Sequence, residues 1–257
     1  MRASITGSTM PVLEIQLAPG ERLLAETGEL SWKSGNIQLR TITSAAGSTG
    51  IFGAIGRALS GGGFFMTEYS TDFQMGVVAF CAKIPGHIFE HQIAPGMEYL
   101  VHKHGFLCCT DGVTLGTGFT QSLGVGLFGG NGFVMQKVSG QGTAWFELGG
   151  EIVPVTLAPG QVIDVHPGHL GMFDANMRHE ITTIPGIRNK IFGGDGIFLI
   201  RLTGPGNVWL QTLTLPNLAH VLGPYLPGGE KQSDGTSLGG LAAAGVAGSL
   251  VSRLFEE

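Results

Sequence analysis

The sequence predicts an all-β protein made of three tandem β-sandwich modules arranged about a pseudo-threefold axis. Two recurring blocks and one periodicity carry that expectation. Leu17-Ala18-Pro19-Gly20 returns as Ile93-Ala94-Pro95-Gly96 and as Leu157-Ala158-Pro159-Gly160. The run from Gly63 to Ser70 returns from Gly132 to Ser139 and from Gly196 to Thr203. Turn residues recur every eight to twelve positions through Leu213 with no long amphipathic helix between them, the pattern of a sandwich or barrel. Self-similarity of this kind decides architecture before any single element does.

The strands ahead of the first block read VLEIQL, IFEHQI and IVPVTL. Alternation puts Leu13, Ile15 and Leu17 on one face, and likewise Phe89, His91 and Ile93, then Val153, Val155 and Leu157. The Pro-Gly pair that follows is a turn, with proline fixing one backbone angle and glycine supplying the left-handed one. Middle turns fall at Ser34-Gly35-Asn36, Asp111-Gly112 and Asp174-Ala175-Asn176. Gly96 to Gly132 and Gly160 to Gly196 are both 36 residues, whereas Gly20 to Gly63 is 43. The seven extra residues fall within AAGSTGIFGAIGRALSGGG. Trp145 and Trp209 are 64 apart, the offset of Gly96 and Gly160, so the register extends past the blocks. The expected modules are residues 10–82, 83–148 and 149–215, one compact unit that imitates a cyclic trimer.

Residues 216–257 read as a linker and tail. LPGGEKQSDGTSLGG has linker composition, and LAAAGVAGSLVSRLFEE is a candidate helix with Leu238, Leu241, Leu250 and Leu254 on a partial apolar stripe. Ala244, Gly248 and Ser252 follow at intervals of four, a spacing that permits close helix contact, set against a flexible tail or a helix packed on its own domain.

Composition narrows the function. With 44 glycines and 12 prolines but no Gly-X-Y period, 43% hydrophobic residues and a mean hydropathy of +0.26, the chain has the apolar surface to fold. A net charge of −5 with 14 scattered Lys and Arg gives no basic stripe, so no nucleic-acid partner is expected. Cys81, Cys108 and Cys109 lack metal-type spacing and read as buried thiols of a reducing compartment. No apolar run of signal type develops before Glu14, which points to a cytoplasmic protein. The uncharged stretch Gly112 to Gln136 is interrupted by eight glycines, which argues against a spanning helix.

The blocks LAPGE with GGGFFMTEY, FGGNGFVM, and VHPGHLGMFD followed by FGGDGIFLI resemble the family of mitochondrial-biogenesis proteins related to altered-inheritance-of-mitochondria protein 24, with its prokaryotic homologues of unknown function. The resemblance covers residues from about 10 to 215. It implies a triplicated chain of the short double-stranded β-helix type, similar to the tryptophan RNA-binding attenuation protein fold. It implies no enzyme activity, and RNA binding does not carry over, since fold does not fix function. The mitochondrial members would need a targeting segment, so a prokaryotic cytosolic relative is the expected placement.

Among candidate sites, the register aligns Glu26, His102 and His166 at one position and Glu29, Gly105 and His169 at another. If Glu26, His102 and His166 met on the axis, they would form a two-His-one-carboxylate set able to hold iron or zinc. Placed round the rim, they would face solvent. His91 lies on the apolar face and reads as a packed histidine, His87 and His220 are unpatterned, and His179 reads as part of a solvated face. No Gly-x-Ser-x-Gly elbow, His-Glu-x-x-His or P-loop lysine occurs, and the Gly124–Gly129 spacing lacks the βαβ context of a dinucleotide fingerprint. The glycine-rich loops carrying Phe52, Leu127, Phe128, Ile191 and Phe192 would form an apolar interaction patch if clustered, or cap the core if folded back. The expected function is therefore a non-enzymatic structural or assembly protein without a cofactor, acting on a protein partner or itself, with peripheral membrane contact as an option. The alternative is a cupin-like metal- or small-molecule-binding protein using His102 and His166.

Overall fold

The computed structural model describes residues 1–44, 64–121, 133–183 and 198–225. Within them the chain is all-β. After β1 (Arg2–Thr6), residues 10–82 contribute β2 (Val12–Leu17), β3 (Arg22–Glu26), β4 (Trp32–Lys33), β5 (Gln38–Ser44), β6 (Phe64–Ser70) and β7 (Gly76–Cys81). Residues 83–148 hold most of the next six: β8 (Gly86–Ile93), β9 (Tyr99–His102), β10 (Phe106–Thr110), β11 (Val113–Gln121), β12 (Phe133–Gly140) and β13 (Gly142–Gly149). The last six are β14 (Ile152–Leu157), β15 (Val162–Val165), β16 (Leu170–Asp174), β17 (Arg178–Thr183), β18 (Phe198–Thr203) and β19 (Gly206–Gln211). Helix α1 (Leu215–Leu222) follows.

Hydrogen bonding sorts the strands into four sheets, and the two six-stranded ones share a plan. Their orders are β5-β6-β3-β10-β13-β8 and β11-β12-β9-β16-β19-β14, the second being the first with every strand number raised by six. The smaller sheets, β1-β2-β7-β4 and β15-β18-β17, carry the corresponding halves at either end, with β1 added on β2. Each long sheet therefore joins strands from two of the expected modules, and β4 and β15 are left as end strands. Register follows suit: Leu23 opposes Tyr69, Tyr99 opposes Val138 and Ile163 opposes Leu202. These partners stand 69 and then 64 residues apart, as do Gly63, Gly132 and Gly196.

Side-chain bonds keep the same step. Ser34 Oγ accepts from the Val77 amide at 2.6 Å, Thr110 Oγ1 from Thr143 at 3.0 Å and Asp174 Oδ2 from Asn207 at 2.8 Å. Three different residues thus cap one backbone position beside the middle turn. The Pro-Gly turns also coincide, with φ of +85° at Gly20, +80° at Gly96 and +78° at Gly160. A Cβ at Gly96 would meet nothing within 4 Å, so only the dihedral requires glycine there. Gly96→Ala is therefore expected to cost about 1 kcal/mol. The check is a lower denaturant midpoint with an unchanged slope.

The core forms three linked clusters. Leu13, Ile15, Leu17, Tyr69, Phe80, Leu107 and Trp145 make the first, while Met66, Val101, Phe106, Phe146 and Met172 make the second. Phe133, Met135, Phe173, Ile200 and Val208 belong to the third. The expected strand face is fully buried at Leu13, Ile15 and Leu17, where β1 covers the flank of β2. It fades along β8 and β14, which are sheet ends: Phe89 and His91 are half-buried and Val153 is exposed.

Two sequence expectations change. His179 does not sit on a solvated face; it is half-buried, its ring 5.4 Å from both Phe119 and Phe173, because its position in register matches the apolar Leu115 and Leu39. The segment after residue 215 opens as a helix rather than a linker, because Thr214 Oγ1 accepts from the Asn217 amide at 3.2 Å and Pro216 suits the first turn. The tail from residue 226, with Leu238, Leu241, Leu250 and Leu254, lies outside the described residues. Among the described residues no helix is long and apolar enough to cross a membrane. Parts of the uncharged stretch form β11 and β12.

Candidate functional site

Glu26, His102 and His166 occupy one kind of turn. The amide three residues on donates back to each carbonyl: Glu29 to Glu26 at 3.3 Å, Gly105 to His102 at 2.7 Å and His169 to His166 at 2.9 Å. The register was therefore legible, but each side chain finds partners nearby. Glu26 Oε1 accepts from Gln136 Nε2, and burial raises its carboxyl above the ordinary value. His102 lies 5.7 Å from the His104 ring and 6.3 Å from Phe133; burial, aided by His104 and Lys103, pushes it down to about 4. His166 accepts from the Gly168 amide at 3.2 Å and faces His169 at 5.8 Å. Among the described residues no three His, Cys, Asp or Glu side chains are grouped so as to hold a metal ion, so these three do not converge.

What the fold does gather is a set of buried carboxyl groups around Lys83. Its ammonium pairs with Glu29 Oε1, and its amide donates to Glu147 Oε1 at 2.7 Å. Glu29 and Glu147 are both buried, and the second oxygen of each lacks a partner among the described residues, as does Gln136 Oε1. Burial raises the Glu147 carboxyl, and the nearby Glu29 charge acts in the same direction. The 64-residue step places Gln211 at the position of Glu147: Glu147 opposes Ile88 and Gln211 opposes Ile152. Gln211 uses both ends of its amide, accepting from Gly149 N at 3.0 Å and donating to Gly168 O at 2.8 Å. A carboxylate can make only the first of those bonds.

His91 is a packed histidine, as expected. It meets Tyr99 edge-on at 4.7 Å and Trp209 at 5.3 Å, and burial lowers its basicity while Asp174 opposes the shift. His87 Nδ1 bonds Gly150 O at 2.8 Å. The three cysteines are free: Cys108 and Cys109 are buried, with Cys109 pushed up to about 12 by desolvation, and Cys81 is only half-buried.

The surface holds a more pointed feature. The step from Ser70 to Gly76, between β6 and β7, is three residues longer than the matching step from Ser139 to Gly142, and the extra length presents Phe73 and Met75 at 93% and 68% exposure. Asn36 Nδ2 holds this turn from below, donating to Gln74 O at 3.0 Å and Met75 O at 3.2 Å, while Thr71 Oγ1 donates to Gln74 O at 2.8 Å. Phe73 and Met75 are thus displayed on a bonded turn with their apolar surface in water. The loop residues Phe52, Leu127, Phe128, Ile191 and Phe192 lie outside the described residues.

The family described as "Mitochondrial biogenesis AIM24" matches residues 3–213. This chain belongs to it. An uncharacterized protein of Streptococcus pyogenes serotype M6 is 30% identical to the AIM24-family chain over 233 residues, covering 88% of this chain and 92% of the relative. The X-ray crystal structure of a Streptococcus pyogenes protein is similar at a TM-score of 0.68 with 23% identity, covering 88% of this chain and 99% of the other, which bears on fold alone.

Sequence reading of the AIM24-family chain missed the Lys83 cluster and the Phe73 turn. The turn had a signal: Ser70 to Gly76 is longer than Ser139 to Gly142. The cluster had none, because its members come together only through pairing of β3 with β10 and β13 with β10.

Proposed function

We propose that this AIM24-family chain is a non-enzymatic structural or assembly protein, built of three β modules about a pseudo-threefold axis and working through its surface. Support for the modules comes from the strand order that recurs with a step of six and from the three capping bonds of Ser34, Thr110 and Asp174. The observation that carries the interaction role is the Phe73–Met75 turn, where hydrogen bonds hold apolar side chains in water. Exposed aromatic and methionine side chains on a pre-ordered support lose little freedom on contact, the property of an anchor for a protein partner. A cytoplasmic setting belongs to this reading, and the free thiols suit it.

The test is a comparison of wild type with Phe73→Ser/Met75→Ser. The double variant is expected to unfold within about 0.5 kcal/mol of wild type, yet to lose the stoichiometric partner that wild type retains on purification from native extract. Binding unaffected by the substitutions refutes the surface assignment, and liposome flotation of wild type that the variant lacks would assign the turn to a membrane surface instead.

A further inference from the structure

The eight methionines divide by where their sulfur sits. Met66, Met135, Met172 and Met177 are buried in the core, whereas Met75 is 68% exposed, more than Met1, Met10 or Met97. The turn around Met75 dictates this. Gly76, the next residue, is buried against Ile37, where a Cβ would collide, so the chain faces inward at Gly76 and outward at Met75. Asn36 Nδ2 donates to the Met75 carbonyl at 3.2 Å and to the Gln74 carbonyl at 3.0 Å, and Thr71 Oγ1 donates to Gln74 O at 2.8 Å. All three bonds end on backbone carbonyls, so the thioether is displayed without supporting the fold. The thiols are withheld by comparison. Thiolate is the form that attacks a peroxide, and burial raises both Cys108 and Cys109, the latter to about 12. A thioether has no proton to lose, so access governs its reaction.

We propose that Met75 is a modification site, oxidised by hydrogen peroxide to the sulfoxide, and that this oxidation switches off the contact made by the Phe73–Met75 turn. The inference rests on the interaction reading above and adds its regulation. The Met75 sulfur attacks one peroxide oxygen; the S–O bond forms as the O–O bond breaks, and the second oxygen leaves as water. Sulfur loses two electrons and the peroxide gains them. Two thiols of a methionine sulfoxide reductase reverse the step, becoming a disulfide as the oxygen departs in water. Oxidation turns a flexible apolar side chain into a polar one directly beside Phe73. A partner surface shaped for the thioether would then have to desolvate the sulfoxide oxygen without a hydrogen bond. The same chemistry in the core would act differently, since Met66 and Met172 pack in one cluster with Phe106 and Phe146, and a sulfoxide there would break the packing. Exposure thus separates damage from switching and places the reversible event at the anchor.

The experiment treats the full chain with hydrogen peroxide, in a Cys81→Ser background that removes the half-buried thiol as a competitor. Peptide mass spectrometry should find oxygen at Met75 before any other methionine, with an unchanged denaturant midpoint at that stage. Oxidised chain should retain about tenfold less of the partner that unoxidised chain holds from native extract. Methionine sulfoxide reductase with dithiothreitol should restore retention, and Met75→Leu should retain the partner before and after peroxide. Earlier oxidation of another methionine overturns the proposal, as does equal retention by oxidised and unoxidised chain, a loss that the reductase does not repair, or an equal loss in Met75→Leu. If one of those results appears while Phe73→Ser/Met75→Ser still abolishes retention, the interaction reading stands without this regulation; if the double variant retains the partner, both fall.

Discussion

Phe146→Ala is expected to lower folding stability by about 3–5 kcal/mol. Phe146 is fully buried in β13 and opposes Phe89 of β8 and Phe106 of β10, with ring centroids 5.5 and 6.2 Å away. Its cluster also holds Met66 from β6 and Met172 from β16, with Leu24 and Trp209 packed against it. Truncation would therefore leave a void at the place where strands from all three parts of the chain share one core, and surrounding ladders restrain its collapse. Loss of apolar transfer energy and of dispersion contacts then add. Denaturant unfolding should show a large fall in midpoint, against a shift equivalent to about 0.5 kcal/mol or less for exposed Phe73→Ala. Equal effects at the two positions would refute the packing described for Phe146.

Gly20, Gly96 and Gly160 illustrate what could be read in advance: a left-handed backbone position admits few residue types, so the turn recurs visibly in sequence. The strand faces were legible in proportion to their covering. Leu13, Ile15 and Leu17 follow the alternation because β1 shields one side of β2, whereas Val153 departs from it at an uncovered sheet end. The partnership of β3 with β10, and of β9 with β16, is a pairing between distant segments, and no local pattern in either strand specifies the other. The same reason separates register from site. Glu26, His102 and His166 share a backbone position, but Gln136, His104 and His169 engage them locally, and those neighbours differ among the three turns. His179 carries a solvated signature in sequence because Arg178 and Glu180 flank it, while its own side chain alternates inward between Phe119 and Phe173.

Glu147→Gln is expected to stabilise the protein by about 1 kcal/mol near pH 7.5 and to remove the share of the pH dependence that Glu147 contributes. At the same step of the register, Gln211 satisfies both a backbone N–H and a backbone carbonyl, whereas Glu147 Oε2 is buried with no partner among the described residues. An ionised carboxylate in that place offers an acceptor where its counterpart offers a donor. A neutral carboxyl or an amide would remove the mismatch while keeping the bond from Lys83 N. Because burial raises the Glu147 carboxyl, the folded state takes up its proton more readily than the unfolded chain does. Its stabilising effect is complete below the ordinary carboxylate value of about 4.3 and is lost as pH rises through the raised folded value. Glu26, raised by the same cause, adds a term of the same sign. As pH falls from 7.5 towards 5, Glu147 and Glu26 thus favour the folded state, while His91, His102, His104 and His166, whose basicity burial lowers, act in the opposite direction. The expected difference is that the variant lacks the favourable contribution of Glu147 over this range, having it already at pH 7.5. Urea midpoints at the two pH values decide the matter: a variant less stable than wild type at pH 7.5, or one with an unaltered pH slope, would show that the ionised carboxylate is needed to hold Lys83 and its neighbours.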